Sequence, residues 1–512
     1  MTLARARTEP PDPGSREPAA GPPARSAAAA LAPRAAWSAA ALLVVLLALV
    51  SVRLPWVGDL GMHAATLERL RHDLLHPGNP LVAEDTPSPY YSPWTVLLAA
   101  GADLGGLSTF GALRVAAAVG LGTLLSGVWR FVRVLTDRIA AVPVAVLCLI
   151  LLWGTDVFAW SGFTGLGSLA LTVSYPSTLA LGLAFHLWAW LWRALAGRAS
   201  WPVFLWLGLL VGTIALVHQF TGVVAGIGAL ALVLGARPRP ERAVGARLLG
   251  GGLLGAALVV AWPYYDVLTL LGTTGLDAIH RSLYGDLVAR FGLAALGVLA
   301  LAARWGRDRR DPLVLFFALG LLVVVLGGVS GHHAWGRALP AVLIPAQLAA
   351  AVEVFGSGRR SWRRGYAVAL VVALGVGAWA QSGTLGYVVP PERLPAAVAA
   401  KAREPWHGYR WITPWVRYGD VVMARTYPAR QIPAHGPYTV APGYPDVLLP
   451  DAAQRGAAVE RYYAPGTGPG ERARILADYR VRWVLGGPRR AADGLREVAV
   501  GPGGERLYRV GP

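Results

Sequence analysis

The chain has 512 residues, of which 55% are hydrophobic and only 15% are charged, and its mean hydropathy is +0.47. This composition excludes a soluble multidomain enzyme and is typical of a membrane protein. A formal net charge of +18 would suit a nucleic-acid-binding protein, but the basic residues stand mainly in loops and at helix ends. Membrane topology explains that distribution, so no nucleic-acid partner is expected.

Residues 1–36 are rich in proline, alanine and arginine and predict a disordered cytosolic tail. The apolar segment 37–52 follows. No small-residue cleavage site is evident after it, which favours an uncleaved membrane anchor over a signal peptide.

Long apolar segments continue from there, and a bilayer needs roughly 20 apolar residues per helix. We predict about eleven spans within a transmembrane domain at residues 37–382. They are 37–52, 111–132, 139–153, 170–192, 201–217, 221–235, 248–262, 287–303, 313–329, 338–354 and 366–381.

Arginine clusters fall on one side of these spans, which is the pattern of cytosolic loops. They lie at 130–138, 193–198, 237–247, 304–310 and 359–364. We therefore predict a multi-pass protein of the plasma (inner) membrane with a cytosolic N-terminus. An odd number of spans places the C-terminal segment outside.

The external segment 53–110 is predicted to contain two interfacial helices. Leu60, Ala64, Leu67 and Leu70 recur at helical spacing with charged residues between them, which favours an amphipathic helix lying on the membrane surface. The apolar piece 93–104 is too short to span. After residue 382 the composition changes, and residues 383–512 predict a small extracytoplasmic α/β domain.

Asp59 directly follows the first span and opens the amphipathic helix. One interpretation is an N-cap, since aspartate is a preferred capping residue. The other is a carboxylate acting as general base or metal ligand at the membrane surface. His63 lies on the same helix face and could complete such a site.

These features resemble the GT-C superfamily of membrane glycosyltransferases, which take sugars from polyprenyl-phosphate carriers. The resemblance rests on the span pattern, the acidic residue of the first external loop, the segment Tyr90-Tyr91-Ser92-Pro93-Trp94 and the external C-terminal domain. It implies that Asp59 is the catalytic base. The chain lacks an Asp-x-Asp or Asp-Glu pair there, so a divalent cation (Mg²⁺ or Mn²⁺, with Asp59, His63 and Asp156 as ligands) is left open.

In sugar transfer an acceptor hydroxyl loses a proton while a lipid phosphate leaves, so a carboxylate and a positive charge are both needed. Arg337 is the candidate phosphate ligand, at a predicted external turn, with His332 and His333 beside it. An arginine extending to the interface is an equal alternative for Arg337, and solvated loop histidines are the alternative for its neighbours.

Weaker supporting candidates lie in the first external segment and in later ones. Asp156 and Asp266 could also be turn residues, His218 a satisfied, partly buried histidine, and the tyrosines part of an interfacial aromatic belt. The set comprises His63, Asp156, His218, Tyr90, Tyr91 and Asp266.

The sequence thus predicts a polytopic α-helical, GT-C-like membrane protein. Its predicted function is inverting transfer of a sugar from a polyprenyl-phosphate donor to a cell-envelope glycan or glycolipid acceptor at the external face, in contact with membrane lipids. The inverting outcome and the donor class follow only from the resemblance. Two alternatives remain. A non-catalytic scaffold predicts that Asp59 is dispensable, and a lipid-linked glycan transporter or flippase predicts polar residues in mid-membrane on several spans.

Overall fold

The computed structural model describes residues 27–197, 199–271, 276–356, 360–487 and 494–511. A bundle of long helices forms the larger part, and a sheet-containing domain follows it. The bundle and its loops contain α1 (Ala27–Arg53), α2 (Leu60–His72), α3 (Pro93–Leu104), α4 (Thr109–Leu135), α5 (Ala141–Leu151), α6 (Leu166–Thr172), α7 (Pro176–Ala196), α8 (Trp201–Val217), α9 (Gln219–Gly235), α10 (Arg242–Val260), α11 (Val267–Leu271), α12 (Asp277–His280), α13 (Leu287–Phe291), α14 (Ala295–Arg307), α15 (Pro312–Ser330), α16 (Pro340–Glu353) and α17 (Arg360–Ala380).

Each predicted span overlaps a helix, α13 and α14 together forming one of them. Within the described residues, seven helical segments are long and apolar enough to cross a membrane, while α5, α8 and α9 are shorter apolar helices. Membrane character therefore agrees with the prediction, and the count of about eleven spans stays a prediction.

Helix α1 begins earlier than expected. Residues 27–36, assigned to the disordered tail, are helical, because a run of alanines is the strongest local helix signal. Residues 1–26 of the predicted tail lie outside the described residues.

The bundle is organised around α16, whose residues are almost all buried, including Gln347. Leu253 of α10 and Leu322 of α15 are exposed instead, as expected of helices facing lipid. Helices that cross at short distance have glycine at the contact. A Cβ on Gly208 of α8 would lie 1.8 Å from the carbonyl oxygen of Gly251 on α10, a contact typical of membrane helices.

The C-terminal domain contains β1 (Val421–Met423), β2 (Tyr438–Thr439), β3 (Trp483–Leu485), β4 (Leu495–Val500) and β5 (Arg506–Val510) with helices α18 (Ala396–Ala399), α19 (Thr426–Ala429), α20 (Ala452–Tyr463) and α21 (Pro469–Asp478). In the described residues the sheet order is β2-β1-β3-β5-β4. The pairs β1–β2 and β1–β3 are parallel, and β3–β5 and β4–β5 are antiparallel. The predicted α/β sheet is therefore present.

Helix α2 is present where the sequence predicts it, and its position at the membrane surface stays a prediction. Ten of its 13 residues are buried, because the C-terminal domain covers its polar side. The guanidinium of Arg69 donates to the carbonyls of Gly436 and Pro437, both at 2.6 Å, and lies over the ring of Tyr438 at 3.6 Å. Helix α2 is therefore amphipathic as predicted, and its polar face contacts the C-terminal domain.

Further contacts fix the same interface. Glu84 pairs with Arg455 of the C-terminal domain, and the Asn79 amide donates to Asp446 at 2.7 Å. The first loop and the C-terminal domain therefore lie on one side of the bundle. Which compartment that side faces stays a prediction.

Candidate active site

Asp59 stands on a turn that both domains hold in place. Gly58, just before it, has φ +63°, a conformation that favours glycine. The Tyr175 hydroxyl, from the start of α7, donates to the Val57 carbonyl at 3.0 Å. The Tyr444 hydroxyl, from the C-terminal domain, donates to the Gly58 carbonyl at 2.9 Å. The carboxylate is thereby fixed at the domain boundary.

Asp59 does not cap α2, although it occupies the N-cap position. Its side chain makes no capping hydrogen bond. Ser108 at α4 and Asp311 at α15 do cap their helices, the latter accepting from the Leu313 amide at 2.9 Å. The capping interpretation of Asp59 therefore does not hold, and its carboxylate is left for another role.

Two arginines face this carboxylate from different parts of the chain. Burial raises the pKa of Asp59, and the positive charges of Arg337 and Arg430 oppose that rise. Within the described residues, Asp59 forms no ion pair with either of them at 4.0 Å or less. The carboxylate attracts each arginine across a gap and is joined directly to neither.

Arg337 is buried, with 5% of its surface exposed, so the interpretation as an arginine extending to the interface does not fit. Its guanidinium lies over the rings of Phe220 at 4.5 Å and Trp160 at 5.6 Å. The buried Nε and Nη1 atoms have no hydrogen-bond partner in the described residues. Each buried unmatched donor costs about 1–3 kcal/mol. A binding site that supplies anionic oxygens would offset that cost.

His218 lies beside Arg337. Its Nδ1 accepts from the Thr221 amide at 3.2 Å and lies 2.7 Å from the Thr221 hydroxyl. Its Nε2 lies 3.4 Å from Nη2 of Arg337, a group that can only donate. An acceptor such as a phosphate oxygen would give the guanidinium a stronger partner at this place.

His63 and Tyr90 form the wall next to Asp59. The His63 ring lies 4.3 Å from that of Tyr175 and 5.5 Å from that of Tyr90. Burial lowers the pKa of His63 to about 3, so the imidazole is neutral. Burial, together with the charge of Asp59, raises the pKa of Tyr90. These groups can donate or accept hydrogen bonds without adding charge.

Several predicted site residues lie elsewhere. His332 is exposed and contacts Ser330, and His333 packs edge-on against Tyr284. They precede Arg337 in the same 3₁₀ turn region, but its ring and hydrogen-bond contacts are with Trp160, His218 and Phe220. Predicted phosphate binding by these two histidines has no support in these contacts.

Three further candidates have local structural roles. Asp156 is exposed and lies 3.9 Å from Arg290. Asp266 is exposed and accepts from the Leu268 amide at 2.8 Å. The Tyr91 hydroxyl donates to the Gly78 carbonyl at 2.8 Å. Asp156 and Asp266 are thus surface groups, Tyr91 is a buried group with 1% of its surface exposed, and their supporting role at the site stays a prediction.

The predicted metal ligands Asp59, His63 and Asp156 do not form a cluster. In the described ranges no three histidine, cysteine, aspartate or glutamate side chains are grouped as a metal site. The residues present do not fit the predicted three-ligand cation site.

Sequence reasoning missed Arg430, Tyr175 and Tyr444. Arg430 lies in the C-terminal domain, where its Nε donates to the Gly443 carbonyl at 2.9 Å. Its own carbonyl lies so close to α2 that a Cβ on Gly61 would approach it to 1.8 Å. No local pattern marks these residues, since only the docking of the two domains brings them to Asp59.

No family model matches the chain, and no curated protein matches it. The cryo-EM structure of the arabinofuranosyltransferase AftD from Mycobacteria is similar, with TM-score 0.56 and 17% identity over 92% of this chain and 40% of that one. The crystal structure of ArnT from Cupriavidus metallidurans in the apo state is similar, with TM-score 0.54 and 15% identity over 93% of this chain and 98% of that one.

The chain spans about two fifths of the AftD chain, at 40% coverage, and nearly all of the ArnT chain, at 98%. At this level of identity the likeness concerns the fold alone. The resemblance found in the sequence is thus confirmed at the level of fold: the protein is a polytopic helical membrane protein with the fold of these two structures and a small C-terminal sheet domain.

Proposed function

We propose that the protein is a membrane glycosyltransferase that transfers a sugar from a polyprenyl-phosphate donor to a cell-envelope glycan or glycolipid. The reaction takes place at the external membrane face, with inversion at the anomeric carbon. Asp59 is the general base, and Arg337, positioned by His218, binds the donor phosphate. The GT-C fold supports the class of reaction, and AftD, which shares this fold, is an arabinofuranosyltransferase by name.

The environment of Asp59 is the strongest support for this proposal. The Asp59 carboxylate makes no capping hydrogen bond and lies, on a turn fixed by hydrogen bonds, opposite Arg337 and Arg430. A scaffold would have no need of an uncapped, partly buried carboxylate opposite an arginine with two unmatched buried donors. This combination suits a reaction in which a proton is taken up while negative charge develops nearby.

The chemical step balances with these groups. The acceptor hydroxyl oxygen attacks the anomeric carbon and forms the new glycosidic bond, while its proton passes to the Asp59 carboxylate. The bond between the anomeric carbon and the phosphate oxygen breaks, and its electron pair stays on the lipid phosphate. The N–H groups of Arg337 stabilise that charge, and His218 beside them positions the guanidinium.

The burial of Asp59 favours the transfer of the acceptor proton to its carboxylate. A raised pKa makes the carboxylate a stronger base than a solvated one, and the two arginines keep it ionised. The rings of His63 and Tyr90 lie 5.5 Å apart, and the neutral imidazole adds no charge beside the carboxylate.

The test is sugar transfer by purified protein from a panel of radiolabelled polyprenyl-phosphate sugars, supplied with envelope glycan acceptors. Wild type is compared with Asp59→Asn and with the matched control Asp266→Asn, another aspartate in an external segment. We expect transfer by wild type and by Asp266→Asn, and a loss of about 10²–10⁴-fold in Asp59→Asn.

An EDTA arm measures the requirement for a divalent cation. Loss of transfer in EDTA, restored by Mg²⁺ or Mn²⁺, assigns a cation to the reaction. Undiminished transfer by Asp59→Asn contradicts the proposed base and favours the scaffold alternative for this residue.

A further inference from the structure

A second charged groove lies at the other ends of the helices that lead into the site. It is lined by Arg130 and Arg133 of α4 and Arg193 of α7, with Trp129, Leu125 and Gly122, and encloses about 600 Å³. Helix α4 has 27 residues, or about 40 Å at about 1.5 Å per residue, which is a membrane thickness. The groove is therefore separate from Asp59, near which the first residues of α4 and α7 lie.

The three arginines are not neutralised by the protein. Within the described residues none of them forms an ion pair with a carboxylate at 4.0 Å or less. Other arginines at this end are paired, as Arg237 is with Asp308 at 2.6 Å and Arg307 with Glu353 at 2.7 Å. Arg130 and Arg133 are three residues apart on one helix face, so their unneutralised charges are concentrated there.

Tryptophans place the groove at headgroup depth. Trp129 lies 6.0 Å from Trp37, and Arg130 lies 5.9 Å from the ring of Trp190. Tryptophan is enriched where hydrocarbon meets water. The guanidinium groups therefore stand at the level of lipid phosphates.

The floor of the groove extends toward the membrane interior. Leu125 and Gly122 line it one to two turns before Arg130, and a Cβ on Gly122 would meet nothing within 4 Å. Two polar side chains contact each other there, since the Ser126 hydroxyl lies 3.1 Å from Nε2 of His186. A phospholipid whose phosphate is bound by the arginines would place its acyl chain along this part of α4, beside Gly122 and Leu125.

We propose that this groove binds the phosphate headgroup of an anionic phospholipid, with Arg130, Arg133 and Arg193 as its ligands. Basic pockets between membrane helices are suited to such headgroups. Arginine presents several N–H donors to one phosphate. This site is independent of the sugar-transfer reaction proposed for Asp59.

The test is lipid retention by full-length protein in native mass spectrometry, during titration with dioleoyl-phosphatidylglycerol or the neutral dioleoyl-phosphatidylcholine. The triple variant Arg130→Gln, Arg133→Gln, Arg193→Gln is compared with Arg138→Gln, Arg239→Gln, Arg242→Gln. The second triple removes the same charge from exposed positions outside the groove.

We expect wild type and the second triple to retain phosphatidylglycerol at least tenfold better than phosphatidylcholine, and the groove triple to lose that preference. A thermal unfolding scan with each lipid confirms that every variant is folded. Equal retention by both triples overturns the proposal. So does an equal rise in melting temperature with inorganic phosphate alone, because the groove would then take a soluble anion.

Discussion

At the residue scale, the most informative feature is a carboxylate at a helix start that does not cap. Capping is what aspartate does at α15, where Asp311 accepts from two amides and pairs with Arg304 at 2.7 Å. Asp59 has the same position at α2 but a φ of −92° and ψ of 12°, outside the extended conformation usual for a cap. Its position is therefore set by the turn before it and not by the helix.

This difference predicts the stability of two variants. Asp59→Ala should not lower the melting temperature, because no capping bond is lost. Asp311→Ala should lower it, because a cap worth about 1 kcal/mol and a buried ion-pair partner are removed. Thermal unfolding in detergent measures both. A melting temperature lowered as much by Asp59→Ala as by Asp311→Ala would restore the capping interpretation.

A second prediction concerns Arg337. Arg337→Gln should weaken donor binding by about 10–150-fold, since a hydrogen bond to a charged group is worth about 1.5–3 kcal/mol. Arg337→Lys should restore only part of it, because lysine offers one charged centre in place of the planar fork. Donor affinity is measured by isothermal titration.

Arg114→Gln is the control for this series, since Arg114 is exposed and donates to the Val52 carbonyl near the same end of the bundle. Its donor affinity should match wild type. Equal affinity of Arg337→Gln and wild type would remove Arg337 from the phosphate site.

A third prediction concerns pH. Burial raises the pKa of Asp59 and Arg430 opposes the rise. Because the base must be ionised, kcat/KM falls as pH drops through this pKa. Arg430→Gln removes an opposing charge, so the pKa rises further and the acid limb moves to higher pH. Arg425→Gln, an exposed position of the same domain, should leave the limb in place. A shift to lower pH in Arg430→Gln would contradict the arrangement.

At the element scale, α2 connects the site to the C-terminal domain. The two hydrogen bonds from Arg69 satisfy backbone carbonyls in a buried interface. Arg69→Met keeps much of the side-chain volume but leaves those carbonyls unmatched, at about 1–3 kcal/mol each. We expect a lower melting temperature and slower transfer, since Arg430 and Tyr444 depend on this docking.

Arg71→Met is the matched control on the same helix. Arg71 is partly exposed and pairs with Asp103 at 2.7 Å, a kind of pair worth at most about 1 kcal/mol. Hydrogen exchange at residues 436–438 separates the two variants. Faster exchange should appear in Arg69→Met only, and its absence would contradict the interface described for α2.

Individual helices are predicted well from the sequence where the capping residue and the first helical residues indicate the same start. Helix α3 begins at Pro93 after the capping residue Ser92, as the residue types favour. The strand β4 was missed, because Leu495–Val500 is an edge strand in which charged and apolar residues mix. The burial of α2 was also missed, since an amphipathic pattern has the same appearance against lipid and against protein.

At the scale of the whole molecule, the arginine asymmetry predicted that Asp59, His218 and Arg337 lie on one side. The structure brings Arg337 into electrostatic range of both Asp59 and His218. The sequence could not predict that Arg430 also lies near Asp59. Arg430 reaches Asp59 only through the shape of an interface between distant segments, and no spacing rule encodes that. For the same reason Asp156 and Asp266, which share the predicted side, were not separable from Asp59 by sequence.

Orientation is testable because Cys148 is the sole cysteine and is buried in α5. In a Cys148→Ala background, Asp137→Cys and Glu404→Cys place one exposed thiol at each end of the bundle. A membrane-impermeant maleimide should label Glu404→Cys in intact cells, and Asp137→Cys only after permeabilisation. The reverse pattern would place the site on the cytosolic side.

We propose that Asp59 takes the proton and does not bind the donor. Donor affinity measured together with the single-turnover rate of sugar transfer, for wild type and Asp59→Asn, tests this role. We expect a donor Kd within about twofold of wild type and a transfer rate lower by about 10²–10⁴-fold. A transfer rate equal to that of wild type in the folded variant would contradict it.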